Sequence, residues 1–304
     1  MPSRTVHISE TGMRLDRFLR IHFKGVRVGG KGGRLTVDGE AVTPGVVLRA
    51  GQTVAIAGGD GDAARPPGGD GSKAALPPLS DADRAFLAAI TLYEDHELIV
   101  FDKPSGLAVH PGTKVTRDLD TLLARLAGPD GERPVLVHRL DKDTSGLLVA
   151  AKRRDIAARL GRAFAGREVA KLYRAVVSGD PGEGGERRID MAIVKKATPK
   201  GGRMVAAEPG DPDALPAATI MRVVAVAADR SKAIVELKPE TGRQHQLRVH
   251  MALCGHAILG DPLYGDPASA ARLMLHAHRL KLKHPNGRFV EFEAPLPEGF
   301  KPDW

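Results

Sequence analysis

Cysteine is almost absent from this chain of 304 residues, where Cys254 stands alone. A single thiol excludes an internal disulfide framework and any zinc site built from several thiolates. No apolar run approaches the roughly 20 residues of a membrane span. The opening MPSRTVHISETGMRLDRF carries charges where a secretory signal needs a hydrophobic stretch, so the reading is a cytoplasmic protein with no membrane partner. Neither GxGxxG nor GxxxxGK followed by Ser or Thr occurs, which removes both common phosphate-cradling loops and argues for no nucleotide cofactor.

What is present is 42% hydrophobic and 27% charged, enough for one sizeable globular domain and a smaller one. The formal net charge is +8. The first 56 residues hold 9 Lys and Arg against 4 Asp and Glu, so the excess begins at the front. That asymmetry suits a polyanionic partner, most simply nucleic acid, although a basic enzyme without such a partner has the same balance.

Three segments follow from composition: a small module over 1–56, a flexible linker over 57–78 and a main domain over 79–304. In the module, Leu15, Phe18, Leu19 and Phe23 recur at helical spacing, which predicts an amphipathic helix over 13–23. Arg17, Arg20 and Lys24 fall on another face, as RNA contacts or as a solvated side. The stretch VRVGGKGGR, 26–34, has 4 glycines at about 1 kcal/mol each relative to alanine, which argues against a second helix. Beyond it, alternating residues around Asp38-Gly39 predict a hairpin-rich sheet. The segment 57–78, rich in Gly, Pro, Asp and Ala, has too little apolar surface to offset chain ordering.

In the main domain, short strands and helices mix without regular βα alternation, so the fold class is α+β. Strands are expected at 98–101, in KLYRAVVSG and in KAIVELKP, and helices in DTLLARLAG and RRDIAARLGRAF. Thr241 is expected to cap a helix ending near Gly255. The stretch 179–216, with Arg187, Arg188, Lys195, Lys196, Lys200 and Arg203, reads as a basic lobe or a solvated loop. In VHRLDKDTSGLLVAAK, Asp141 follows Arg139 and Leu140 at a strand end. Spacing alone leaves it a turn-former, a cap or a nucleophile.

HRLDKDTSG resembles the catalytic signature of the RluA-type pseudouridine synthases. DKPSGLAVHPG, KLYRAVV, LKPETGRQHQLRVHMALCGHAILGDPLYG and LMLHAHRL follow in that family's order, over essentially all of 79–304. The resemblance implies a pseudouridine synthase fold: a mixed, mainly antiparallel sheet with a central cleft flanked by helices. The front module is similar to an S-four-type RNA-binding module, a small α/β unit, although 26–34 departs from that pattern where a basic second helix is usual.

The resemblance further implies that specific uridines of large-subunit ribosomal RNA are isomerised, with transfer RNA as the alternative substrate and a non-enzymatic RNA-binding or ribosome-assembly role as the competing class. It assigns Asp141 as the catalytic aspartate, Tyr173 as the active-site tyrosine, Arg248 as the basic partner and Arg139 as the arginine beside the catalytic loop. A cation beside a carboxylate favours its ionised form, so Arg248 has reason to face Asp141. Lys103, Arg243, Gln244 and His245 are the further RNA-binding candidates, with 241–244 read as a helix N-terminus. Gly260, Asp261 and Tyr264 read as a turn supporting that helix. His245, His250 and His256 lie on different helix faces, so no metal is assigned, and the isomerisation requires no cofactor. A hydrolase using Asp141 with Asp143 ranks last, and the protein is taken as a monomer.

Overall fold

The computed structural model describes residues 3–7, 12–23, 34–42, 45–57, 77–112, 115–127, 132–182, 184–198 and 201–302. The chain divides into two compact units, Met1–Ser72 and Lys73–Trp304. In the first, strand β1 (Ser3–Thr5) precedes helix α1 (Leu15–His22), then β2 (Arg34–Val37), β3 (Glu40–Ala41) and β4 (Thr53–Ala57) form an antiparallel sheet of order β1-β4-β2-β3. Leu15, Phe18 and Leu19 recur on one face of α1 and are buried against Leu35, Val37, Val54 and Ile56. Asp38 and Gly39 both take positive φ, 53° and 86°, the combination a tight two-residue hairpin needs. The Asp38 carboxylate accepts hydrogen bonds from Thr53 N at 2.7 Å and Gln52 Nε2 at 3.2 Å, which ties the turn to β4. Lys24, the side chains of Arg17 and Arg20, and nearly all of 26–34 and of the expected linker lie outside the described residues.

The second unit opens with α2 (Asp81–Ile90), capped by Ser80 accepting from Asp83 N, then β5 (Thr91–Glu94) and β6 (Leu98–Lys103). There follow α3 (Leu119–Ala124), β7 (Val135–Leu136), β8 (Ser145–Ala151), α4 (Arg154–Ala165), β9 (Ala170–Ser178), β10 (Arg187–Asp190), β11 (Ile193–Thr198) and β12 (Gly201–Ala206). The chain continues with β13 (Ala218–Val226), β14 (Lys232–Pro239), α5 (Gln246–Leu253), β15 (Leu275–Lys283) and β16 (Phe289–Glu293). The main sheet has the order β10-β13-β14-β9-β15-β8-β6-β5, with β16 on β15 and β7 on β8. Among the paired strands of the described residues only β15 and β8 run parallel, so the expected α+β architecture with a mainly antiparallel sheet is the one observed.

The apolar runs LIVF and LLVAA are continuous because both faces of the sheet are covered. Ile99, Phe101, Leu148 and Ala150 pack with Leu87 of α2 and Leu119, Leu122 and Leu123 of α3. Their neighbours Leu98, Val100, Leu147 and Val149 point the other way, onto Ile156 and Leu160 of α4. Burying each such leucine fully contributes about 1.5–3 kcal/mol. β15 meets β8 at His276 opposite Ser145 and Ala277 opposite Gly146. Only glycine fits there, because a Cβ on Gly146 would stand 2.3 Å from the Ala277 carbonyl oxygen. The close approach fixes the start of β8, and with it the loop that ends there.

Two expectations change. The described residues of 179–216 include β10 and the paired strands β11 and β12, whose Ile193 and Met204 are buried against Val249 of α5. Among the charges of that segment stand the buried apolar residues Ile189, Ile193, Val194 and Met204. Thr241 does not cap α5: the helix begins at Gln246, after His245 in a left-handed conformation. Thr241 Oγ1 instead donates to Gln246 Oε1 at 2.6 Å and accepts from Ala218 N at 3.0 Å, making 241–245 a separate turn. The helix ends near the expected place, with Gly255 at φ 82° just past its C-terminus.

Candidate active site

A cleft of about 560 Å³ opens between the 137–144 segment, the end of α4, the start of β9 and the turn into α5. The Asp141 carboxylate lies in its wall, 22% exposed, just after the buried Leu140. The loop that carries it is clamped from below. Lys103 Nζ donates to the carbonyls of Pro104 at 3.0 Å, Leu107 at 2.9 Å and Lys142 at 2.8 Å, using all three ammonium protons. Gly106 N donates to Lys142 O at 3.0 Å, and Ser105 Oγ to Asp143 O at 2.7 Å. The DKPSG run therefore shapes the Asp141 loop. Lys103 is completely buried and does not face RNA, which corrects the expectation for it. Burial pushes its ammonium down to about 8, against the pull of Asp143 and Asp141.

Arg248, on α5, brings Nη1 to 3.6 Å from Asp141 Oδ2. Its other nitrogens are committed: Nε donates to Asp261 Oδ2 at 2.7 Å and Nη2 to Asp261 Oδ1 at 2.6 Å. Arg248 is 3% exposed and Asp261 not at all, so this is a buried bidentate pair. Burial pushes the Asp261 carboxyl up, but the hydrogen bonds and charge of Arg248 outweigh it and hold the group below its ordinary value. Asp261 Oδ1 also accepts from Leu263 N at 2.8 Å and Tyr264 N at 3.1 Å. It thus shapes the expected turn and, beyond that expectation, aims the guanidinium at Asp141.

Tyr173, on β9, lines the cleft and packs against the cores on both sides of it. Burial, then the charge of Asp141, raises its phenol well above the ordinary value, so it is a protonated hydroxyl with a flat ring and not a ready base. Arg139 is exposed at the rim with no hydrogen-bond partner among the described residues. Arg243 Nε donates to Pro216 O at 3.1 Å, and Gln244 is exposed in the cleft wall. His245 is half-buried, with Nε2 3.9 Å from Asp141 Oδ1.

The site also includes residues that sequence reasoning passed over. Gln246 Oε1 accepts from Thr241 and from Arg243 N, while its Nε2 donates to Ala218 O at 2.9 Å and Thr219 Oγ1 at 3.0 Å, which locks the turn. His138 stacks on Phe164 with centroids 4.2 Å apart, and its Nε2 accepts from Val149 N at 3.0 Å. Burial and Lys171 press its imidazole down to about 3. The histidines weighed for metal binding have other partners: His250 bonds Thr219 Oγ1 and Met191 O, and His256 bonds Ser178 O. Among the described residues no three His, Cys, Asp or Glu side chains converge as a metal site.

The arrangement presents a carboxylate to a half-open cleft, a buried guanidinium held against it, and an aromatic face that a planar ring can stack on. Among the described residues no helix is long and apolar enough to cross a membrane. A profile of the RNA pseudouridylate synthase family matches residues 97–253. An uncharacterized RNA pseudouridine synthase of Zymomonas mobilis is 38% identical over 218 residues, 70% of this chain and 96% of its own length. The ribosomal large subunit pseudouridine synthase C of Escherichia coli K12 is 34% identical and aligns with 96% of this chain and 92% of itself. The dual-specificity RNA pseudouridine synthase RluA of the same organism is 40% identical over 68% of this chain and 92% of its own. Among solved structures, the human RNA pseudouridylate synthase domain containing 4 is similar at a TM-score of 0.60 and 30% identity, covering 72% of this chain and 92% of that one.

Proposed function

The chain belongs to the RNA pseudouridylate synthase family, and from that premise we propose that Asp141 carries the isomerisation of uridines in large-subunit ribosomal RNA. The reaction breaks the bond between N1 and C1′, turns the base, and joins C5 to C1′. The C5 proton leaves to solvent and N1 gains one, so atoms and electrons balance. Asp141 supplies the anion that glycosidic cleavage requires. Arg248, held by Asp261, stands 3.6 Å from that anion and aims it. Tyr173 offers the face on which the uracil stacks as it turns. Arg139 enters the space the extruded nucleotide leaves, offsetting part of an unstacking cost of a few kcal/mol. Arg243 and Gln244 contact the backbone.

The observation that carries this reading is the convergence of Asp141, Arg248 and Tyr173 on one cleft. Ribosomal RNA is favoured because the relative that aligns along nearly the whole chain, front unit included, is a ribosomal large subunit synthase. The front unit, read as an S-four-type RNA-binding module, adds phosphate contacts. The protein is read as a monomer, and the proposed substrate suits the cytoplasm. The test is to delete the gene and map pseudouridines across ribosomal and transfer RNA. Loss of a large-subunit position, restored by the intact gene and not by Asp141→Asn, is expected. Loss confined to transfer RNA would overturn the substrate, and full restoration by Asp141→Asn would overturn the role of the aspartate.

A further inference from the structure

The Asp141 carboxylate is approached on both oxygens, Oδ2 by Arg248 and Oδ1 by His245. His245 is a strange place for a phosphate contact. Its backbone is left-handed, φ 54° and ψ 16°, a conformation L residues avoid, and the other non-glycine residues with positive φ, Asp38, Arg167 and Arg230, do not line this cleft. The turn before α5 holds it there through the four hydrogen bonds of the Gln246 side chain. That backbone swings the imidazole inward, away from the rim and onto Tyr264.

Tyr264 decides which nitrogen carries the proton. Its oxygen lies 2.9 Å from His245 Nδ1, with the two rings edge to face. With the phenol donating to Nδ1, a neutral imidazole bears its hydrogen on Nε2. Nε2 is the atom that faces Asp141 Oδ1, at 3.9 Å. Arg203 and Arg248 stand over the Tyr264 ring at 4.6 and 5.3 Å, so the ring is held from the hairpin and from α5 together. The groups facing the imidazole are Asp141, Asp261, Arg248 and Arg139; burial pushes it down, Asp141 pulls it up, and it stays below its ordinary value.

We propose that His245 is a positioning residue for Asp141, an Nε2–H donor whose tautomer is set by Tyr264, a ring that Arg203 of the β11–β12 hairpin braces. The proposal rests on Asp141 as the catalytic anion, and it removes His245 from the RNA-binding set. It predicts that His245 acts on the chemical step and not on affinity.

The experiment measures single-turnover tritium release from C5-labelled uridine at saturating RNA, with RNA affinity measured in parallel, for the full chain and four variants. His245→Gln keeps a donor where Nε2 stands, whereas His245→Asn tolerates the left-handed backbone but is too short to reach Asp141. We expect the Asn variant to lose about 10- to 100-fold in rate with affinity within about twofold, and the Gln variant to recover most of that loss. Tyr264→Phe should slow the step by a smaller factor, again without loss of affinity. An Asn variant that keeps the wild-type rate, or that loses affinity while its saturated rate is intact, overturns the proposal. If the Asn chain fails to fold, a slow Tyr264→Phe beside a fast His245→Gln supports it and the reverse order refutes it. Asp141→Asn, run alongside, separates the two levels: release by that variant at the wild-type rate discards the catalytic aspartate itself.

Discussion

Replacing Asp261 by Asn should cost more than any other single-atom change near the cleft. The Arg248–Asp261 pair has side-chain exposures of 3% and 0%, so neither group exchanges its partner for water when the pair is broken. Removing one member of such a pair leaves an uncompensated charge in a dry site, which costs about 3–5 kcal/mol. The substituted amide also points an NH₂ at a guanidinium that has only donors. For a domain of this size that corresponds to a fall of about 6–20 °C in Tm. Arg248 then has Asp141 as its remaining carboxylate among the described residues and turns toward it, tying up the anion, so single-turnover release should drop at least about tenfold. Arg248→Met in the Asn background should recover part of the stability, because no buried charge remains, and none of the activity. The effect is pH-dependent with a definite sign. The folded carboxyl lies below its ordinary value, so its stabilisation is present above that value and lost as pH falls through the lower folded one. The gap between wild type and variant should therefore close in acid. Denaturant unfolding at neutral and acidic pH reads all of this. A loss under about 1 kcal/mol, or a double variant no more stable than the single one, would show that the buried Arg248–Asp261 pair does not carry this stability.

Lys103→Met should destabilise the main unit by about 2–4 kcal/mol, since three buried carbonyls lose their donor while the desolvation of an ammonium is relieved. It should also slow release by loosening the Asp141 loop; unfolding midpoints and single-turnover rates check both, and an unchanged rate contradicts the clamp. A chain starting at Lys73 should keep the chemical step at saturating RNA. It should bind more weakly and with a shallower salt dependence, because fewer Lys and Arg displace counterions. Loss of the step in a folded, RNA-binding truncation would make the front unit part of the active site.

Much of this molecule is legible as pattern. The continuous apolar runs LIVF and LLVAA, the 3.6 period of α1 and α4, and the Asp38-Gly39 turn each express a local rule, and the elements form close to where those rules put them. The motif around Asp141 carries its own loop geometry, because Leu140 and Gly146 anchor both of its ends. Relations across the chain were not legible. Lys103 reads as a surface charge until three carbonyls, one of them 39 residues away, converge on its ammonium. Asp261 reads as a turn residue because nothing local shows that α5 returns Arg248 to it. Thr241 has the chemistry of a cap, but Gln246 competes for its hydroxyl and moves the helix start by a turn. The β11–β12 hairpin was hidden by its charge, and its contact with Tyr264 exists only after folding.

The Asp141 carboxylate is proposed to perform the chemistry. The most direct measurement is tritium release from C5-labelled uridine in the RNA identified by mapping, comparing wild type with Asp141→Asn at matched, saturating occupancy. The Asn side chain keeps the shape and removes the anion, so release should fall to background while RNA affinity stays within about twofold. Release by the Asn variant at a substantial fraction of the wild-type rate, with the RNA bound normally, would contradict the account.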